Sequence, residues 1–160
     1  MINPVKLTNS VSRQGWPVAE RRQLALAVKA LEQGRGVLVV GEAGIGKTVF
    51  AGQVSEWAAA AMPQWRWTRI RCSVGSHDIP LSCLDPLMGG MDLSTNPHIT
   101  QVTEHLYERL TAGHDDPVVL SVDDAHLMDE ATEHVLERLV SRDRITLVVI
   151  TRSVSDRRVP

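Results

Sequence analysis

The sequence of 160 residues lacks the features that define several large protein classes. Its net charge is −2 and no arginine-rich stripe occurs, so we expect no strongly basic surface for nucleic acid. No apolar run approaches the length needed to cross a bilayer, and the first residues contain no apolar signal core. The two cysteines, Cys72 and Cys83, lack zinc-site spacing, so we expect small buried hydrophobic residues in a reducing compartment. We therefore predict a cytoplasmic protein with no membrane segment and no DNA-binding element in this chain.

Apolar periodicity predicts strands that alternate with helices along the chain. The strands are predicted over residues 36–40, 65–72, 118–122 and 145–150. The helices are predicted over residues 18–33, 48–58, 98–112 and the segment after Asp129, which is the expected N-cap of that helix. Because large or apolar residues alternate with arginines over residues 65–72, that strand is expected to be half-exposed and to lie at or near an edge of the sheet. This alternation, in a chain long enough for one domain, predicts an α/β fold with a parallel sheet under right-handed crossovers.

Two stretches of the sequence show no clear periodicity of apolar residues. Residues 1–17 are predicted to be an irregular N-terminal segment, because prolines and a glycine interrupt them. Residues 73–97 are predicted to be mainly loop, with a short helix between Pro80 and Met88.

Residues 41–48 satisfy the phosphate-loop pattern G-x-x-x-x-G-K-[ST], in which each fixed position has a physical task. They are Gly41, Glu42, Ala43, Gly44, Ile45, Gly46, Lys47 and Thr48. The glycines bring bare N–H groups close to a phosphate chain, and the N-terminus of the next helix adds a positive dipole end. Lys47 is predicted to reach the β- and γ-phosphates, and the Thr48 hydroxyl to bind the accompanying Mg²⁺. The alternative is a glycine-rich turn with an incidental lysine.

Two acids follow the strand over residues 118–122, where the carboxyl ends of parallel strands place ligand-binding groups. Asp123 is predicted to bind Mg²⁺, because a phosphate loop that holds a divalent ion also needs a carboxylate near it. Asp124 is predicted to orient, or accept a proton from, the water that attacks the γ-phosphate. The alternative for both residues is a strand-ending turn that favours aspartate.

Arg152 follows the last predicted strand and is expected to lie near the γ-phosphate, where a guanidinium would stabilise its charge. An ordinary surface arginine is the alternative. Thr151 is a weaker candidate for holding the water, and His126 is the best placed of the six histidines, although packing explains it better. Trp16 and Pro17 are candidates for an adenine pocket or for packing alone.

Two motifs that are absent from the sequence bear on which nucleotide base is bound and which reaction is catalysed. The guanine-reading patterns Asn-Lys-x-Asp and Thr-Lys-x-Asp do not occur, which disfavours a GTPase. The arginine-bearing lid of a small-molecule kinase is not evident either. These absences disfavour GTP and leave a nucleoside triphosphate with Mg²⁺ as the predicted ligand.

Four stretches together resemble the signal-transduction ATPases of the STAND branch of AAA+-like P-loop proteins, above all the N-terminal module of large LuxR-type transcriptional regulators. They are residues 19–24 with 34–48, residues 79–81, residues 122–129 and residues 151–153. The resemblance implies a P-loop three-layer sandwich with strand order 5-1-4-3-2, slow ATP hydrolysis, and a sensor arginine at Arg152.

The chain is shorter than the proteins it resembles, which continue into a fifth strand, a lid and further domains. We therefore expect residues 1–160 to form one P-loop core, truncated before the lid, with strand order 1-4-3-2 and the fifth strand missing. The first strand would then have an uncovered edge, which favours association. The expected interpretation is a fragment of a longer regulator, or a short paralogue that pairs with other protein domains or protomers.

Two functions remain open on the sequence. The first is a Mg-ATP-binding switch with weak ATPase activity, in which Lys47, Asp124 and Arg152 carry the chemistry. The second is a module that binds ATP or ADP without turnover and acts by docking to partners. Any turnover is expected to be slow, because a bare phosphate-loop core has no lid residues and no arginine finger from a neighbour.

Overall fold

The computed structural model describes residues 3–6, 18–75, 79–92, 95 and 97–152, with the backbone alone at residues 3–6 and 18–20. The strands are β1 (Asn3–Lys6), β2 (Val37–Val40), β3 (Arg66–Arg71), β4 (Val118–Asp123) and β5 (Ile145–Thr151). The helices are α1 (Val18–Glu32), α2 (Lys47–Ala61), α3 (Asp85–Met88), α4 (Ile99–Thr111) and α5 (Glu130–Val140). Two short 3₁₀ helices span Ser82–Leu84 and Ala125–Leu127.

The five strands form one parallel sheet in the order β1-β2-β5-β4-β3. The four strands expected from the sequence therefore lie in the predicted order 1-4-3-2, which confirms the fold class. The half-exposed strand β3 lies at one edge, also as predicted. This order brings the carboxyl ends of β2, β5 and β4 side by side, so the residues that follow them share one edge of the sheet.

The expectation of a missing outer strand is wrong. Strand β1 pairs in parallel with β2, with Asn3 opposite Val37 and Lys6 opposite Val40, so the described strands leave no uncovered edge on β2. The prediction that residues 1–17 form an irregular segment is therefore wrong for Asn3–Lys6. A four-residue strand that contains a proline shows no alternation, and proline is tolerated because β1 is an edge strand. Residues 7–17 lie outside the described residues, and the case for association through an open β2 edge no longer holds.

Both faces of the sheet are covered by helices, which gives the three layers expected. One apolar cluster joins α1 and α2 to the first face of the sheet, and it includes Leu24, Leu31, Val37, Val39, Phe50, Val54, Val119, Val148 and Ile150. The other joins α3, α4 and α5 to the second face, and it includes Leu38, Met88, Leu106, Leu120, Leu136, Leu139 and Leu147. Successive residues of β2 belong to opposite clusters because strand side chains alternate between faces.

Two expectations from the composition can be compared with this structure. Cys72 and Cys83 are both buried free thiols in the second cluster, as predicted. A search of the described part of the chain finds no helix with both the length and the apolarity that a bilayer span requires.

Candidate functional site

The phosphate loop connects β2 directly to α2. Gly44 and Gly46 adopt left-handed backbone conformations with φ of 78° and 92°. A Cβ at either position would meet no atom within 4 Å, so the backbone conformation and not the available space calls for glycine. Gly46 is the N-cap of α2, and no side chain caps this end of the helix. The helix N-terminus therefore presents backbone N–H groups to the loop, as an anion site requires.

Lys47 is the first residue of α2, and only 8% of its surface is exposed. Its Nζ donates a hydrogen bond of 2.6 Å to the carbonyl oxygen of Glu42 in the same loop. Burial lowers the pKa of Lys47, the charge of Arg152 lowers it further, and the charges of Asp124 and Asp123 oppose both effects. The ammonium therefore lies within electrostatic range of the three charged residues that the sequence assigned to this site.

Thr48 and Asp123 meet across the gap between α2 and β4. The Thr48 hydroxyl lies 3.4 Å from Oδ1 and 3.3 Å from Oδ2 of Asp123. A hydroxyl beside a carboxylate is a pair of hard oxygen donors, which fits Mg²⁺. Among the described residues no group of three or more His, Cys, Asp or Glu is suited to a metal, so phosphate or water oxygens would complete such a site.

Asp124 is the N-cap of the 3₁₀ helix that follows β4, in a left-handed conformation with φ of 53°. Its backbone N–H donates to Oδ1 of Asp123 over 3.0 Å. Its carboxylate accepts two hydrogen bonds of 3.2 Å from Nε and Nη2 of Arg71. The two neighbouring acids therefore have different partners, and the Asp124 side chain is held towards strand β3.

Two arginines of β3 contact the two acids, and no pattern in the sequence predicted these contacts. Arg69 donates from Nη2 to Oδ2 of Asp123 over 2.5 Å, and Arg71 binds Asp124. Strand register explains the contact: Arg69 lies opposite Ser121 and Arg71 opposite Asp123, so both arginines and Asp123 lie on one face of the sheet. The alternation of arginines over residues 65–72 is the sequence signal that points to this face.

The end of β5 lies beside the loop. Thr151 is buried, and its carbonyl oxygen accepts a hydrogen bond of 3.4 Å from the N–H of Gly41. Arg152 follows it with an exposed side chain, close enough for its charge to affect Lys47. His126 is half-buried in the 3₁₀ helix after Asp124. Trp16 and Pro17 lie outside the described residues, so their suggested place at the adenine stays a prediction.

Comparison with known proteins shows the family to which the chain belongs and the fold that it shares with solved structures. The family model described as the AAA ATPase domain matches residues 19–150. No curated protein matches the chain significantly in sequence.

Three solved structures illustrate the shared fold. The Aeropyrum pernix ORC1 protein in complex with DNA has a TM-score of 0.62 and 21% identity, over 85% of this chain and 38% of that one. The Aeropyrum pernix ORC2 protein in its ADPNP-ADP complexes has a TM-score of 0.54 and 14% identity, over 92% of this chain and 44% of that one. Drosophila ORC bound to DNA has a TM-score of 0.56 and 14% identity, over 86% of this chain and 78% of that one.

These identities are low, so the similarity shows the fold alone. The chain spans less than half the length of the two Aeropyrum pernix proteins, 38% and 44%. The fold of this chain is thus shared with proteins whose other parts it does not match.

Proposed function

The chain belongs to the AAA ATPase domain family, and on that premise we propose that it is a Mg-ATP-binding signal-transduction module with weak ATP hydrolysis. One observation carries the proposal: the phosphate loop, Lys47 and the Thr48–Asp123 oxygen pair lie together at the carboxyl edge of the sheet. That edge is where open parallel sheets bind their ligands.

Each residue has a proposed task in this module. The backbone N–H groups of Gly41–Thr48 and the ammonium of Lys47 bind the phosphate chain. Thr48 and Asp123 hold Mg²⁺, which when bound would neutralise charge on the phosphates. Asp124 orients the attacking water, and Arg152 binds near the γ-phosphate.

The proposed setting is a LuxR-type transcriptional regulator of the STAND branch. The resemblance of four stretches, from residues 19–24 to residues 151–153, supports it. We propose other protein domains or protomers as partners and neither DNA nor membrane, since the net charge of −2 gives no basic surface. The cytoplasm is the proposed location.

A second function is a nucleotide-binding module that docks to partners without turnover. The contact between Arg71 and Asp124 favours it, because a carboxylate oxygen that already accepts two hydrogen bonds of 3.2 Å from a guanidinium has less capacity to bind and orient a water. Both functions require nucleotide binding, and they differ only in the fate of the γ-phosphate.

Isothermal titration calorimetry of the chain with millimolar ATP and Mg²⁺ tests the proposal. Saturable heat, with competition by ADP and weaker competition by GTP, is the expected result. If correctly folded protein gives no heat with ATP, the proposed function is wrong. If GTP competes as well as ATP, nucleotide binding stands but the base preference is wrong.

Replacing Asp123 by asparagine should abolish most of the magnesium enhancement of ATP affinity. The change removes the negative charge that attracts Mg²⁺ but keeps the side-chain shape at a site buried to 99%. We expect metal affinity to fall roughly tenfold to a hundredfold, the range seen when groups around a metal are altered. Titration of a fluorescent ATP analogue with MgCl₂ and with EDTA measures the effect.

The matched control is Asp143→Asn, which removes the same charge from an exposed residue just before β5, at the opposite end of that strand from the site. It should leave the magnesium dependence unchanged. If Asp123→Asn retains the full enhancement by Mg²⁺, the role of Asp123 is structural only.

Replacing Asp124 by asparagine separates the two functions. If Asp124 orients the attacking water, the variant should bind Mg-ATP normally while its phosphate release falls by roughly a hundredfold or to background. Phosphate release and calorimetry on the same preparations give both quantities. Equal phosphate release in variant and parent would remove Asp124 from the mechanism, and no release from either would favour the docking module.

A further inference from the structure

Both oxygens of the Asp123 carboxylate already have partners within the chain. Oδ1 accepts the Asp124 N–H over 3.0 Å, and Oδ2 accepts Arg69 Nη2 over 2.5 Å. The Thr48 hydroxyl lies within 3.4 Å of both oxygens. The strongest of these partners is the guanidinium, because it pairs a full positive charge with the carboxylate at the shortest distance. A cation of the protein therefore sits on one oxygen of the carboxylate that is proposed to hold Mg²⁺.

The two members of this ion pair differ in their freedom to move. The side chain of Asp123 is 2% exposed, at the end of a strand flanked by β5 and β3. The side chain of Arg69 is 51% exposed, and it stands on β3, which pairs only with β4 among the described strands. A long, half-exposed arginine on an edge strand can turn into water at low cost, whereas the buried carboxylate cannot follow it. Arg69 is thus the member that moves.

We propose that Arg69 competes with Mg²⁺ for Asp123, so that magnesium loading of the nucleotide site requires the Arg69–Asp123 pair to open. The inference rests on the proposed function and adds a positioning residue to it. Two cations cannot share one carboxylate oxygen without strong mutual repulsion at that distance. In the absence of metal, Arg69 compensates the buried charge of Asp123. With Mg²⁺ present, that compensation passes to the metal and the guanidinium is released.

This competition sets the concentration of Mg²⁺ at which the site fills. The apparent metal affinity is lowered by the fraction of molecules in which Arg69 occupies Asp123. Removal of the guanidinium should therefore shift the magnesium midpoint of nucleotide binding to lower concentration. Arg71 offers a neighbouring comparison, because it lies on the same face of the same strand but binds Asp124.

The test compares Arg69→Gln with Arg71→Gln in the whole chain. Both variants lose one positive charge on β3 and keep a polar side chain, so they alter the long-range potential in the same direction. Fluorescent ATP analogue at fixed concentration is titrated with MgCl₂, and Mn²⁺ binding in the presence of ADP is followed by electron paramagnetic resonance. For Arg69→Gln we expect the midpoint to fall by roughly threefold to tenfold, as removal of one charge-assisted pair of this exposure implies. Arg71→Gln should stay near the parent.

The outcomes are distinct. A lower midpoint for Arg69→Gln alone supports the inference, and thermal unfolding of both variants checks that their folds match the parent. An unchanged or higher midpoint for folded Arg69→Gln overturns it, and so does an equal fall in both variants, which would indicate a general charge effect. If the parent binds no nucleotide at any Mg²⁺ concentration, the proposed function is wrong and this inference falls with it.

Discussion

Replacing Lys47 by alanine is expected to lower the affinity for Mg-ATP by roughly tenfold to a hundredfold, because one charge-assisted contact is lost. The ammonium is largely buried beside the loop and donates to the Glu42 carbonyl. It is therefore held within the turn whose N–H groups are proposed to bind the phosphates. Calorimetry with Mg-ATP measures the loss directly.

A charge-matched control distinguishes this contact from a general loss of positive charge. Lys29 is exposed in the last turn of α1, and Lys29→Ala removes the same charge without touching the phosphate loop. Its Mg-ATP affinity should equal that of the parent. An unchanged affinity in Lys47→Ala, or an equal loss in both variants, would contradict the assignment of Lys47 to the phosphates.

Replacing Asp129 by alanine is expected to lower the free energy of unfolding by about 2–4 kcal/mol, because a helix cap is lost and buried donors lose their acceptor. The carboxylate is buried and accepts from the Thr132 N–H over 3.0 Å and from the Thr132 hydroxyl over 2.6 Å. It also accepts from the backbone N–H of Leu81, 3.3 Å from each oxygen. Asp129 thus joins the N-terminus of α5 to the segment after β3. Urea unfolding followed by tryptophan fluorescence measures the change.

Asp129→Asn is the matched variant. Asparagine caps helices as well as aspartate does, and its amide can donate to the Thr132 hydroxyl while its oxygen accepts the backbone N–H groups. We expect it to lose about 1 kcal/mol, less than the alanine variant, since the backbone N–H groups keep their acceptor and only the Thr132 O–H loses its own. If the alanine variant is as stable as the parent, the contacts of Asp129 contribute nothing net to folding.

Local sequence chemistry predicted the parts of this molecule that depend on neighbours in the chain. The phosphate loop was predictable because its glycines and lysine act through the backbone of eight consecutive residues. The capping role of Asp129 was predictable for the same reason, since a cap acts on N–H groups two or three positions ahead. The order of the four expected strands, which the family resemblance implied, is confirmed, whereas alternation with helices by itself predicts only a parallel sheet with right-handed crossovers.

Contacts between distant segments were not predictable in this way. The hydrogen bond from the Leu81 N–H to Asp129 depends on the left-handed backbone conformation of Leu81, with φ of 64°. No pattern in the sequence predicts that conformation. The Arg69–Asp123 ion pair depends on which strand lies beside β4 and on the register of that pairing. From the sequence alone, an arginine that alternates with apolar residues is predicted only to be solvent-exposed. Strand β1 is formed by pairing with β2, because four residues with a proline have little strand propensity of their own.

The position of β2 in the sheet affects when the ligand site can form during synthesis. Val37 pairs with Asn3 on one side and with Val148 on the other, so the strand that leads into the phosphate loop depends on segments from both extremes of the described chain. Pairing between such distant segments is slow and waits for the later one. A nascent polypeptide on the ribosome presents the loop long before β5 has emerged, and until then β2 has a partner on one side only. Competence to bind ligand is therefore acquired only after β5 has been synthesised.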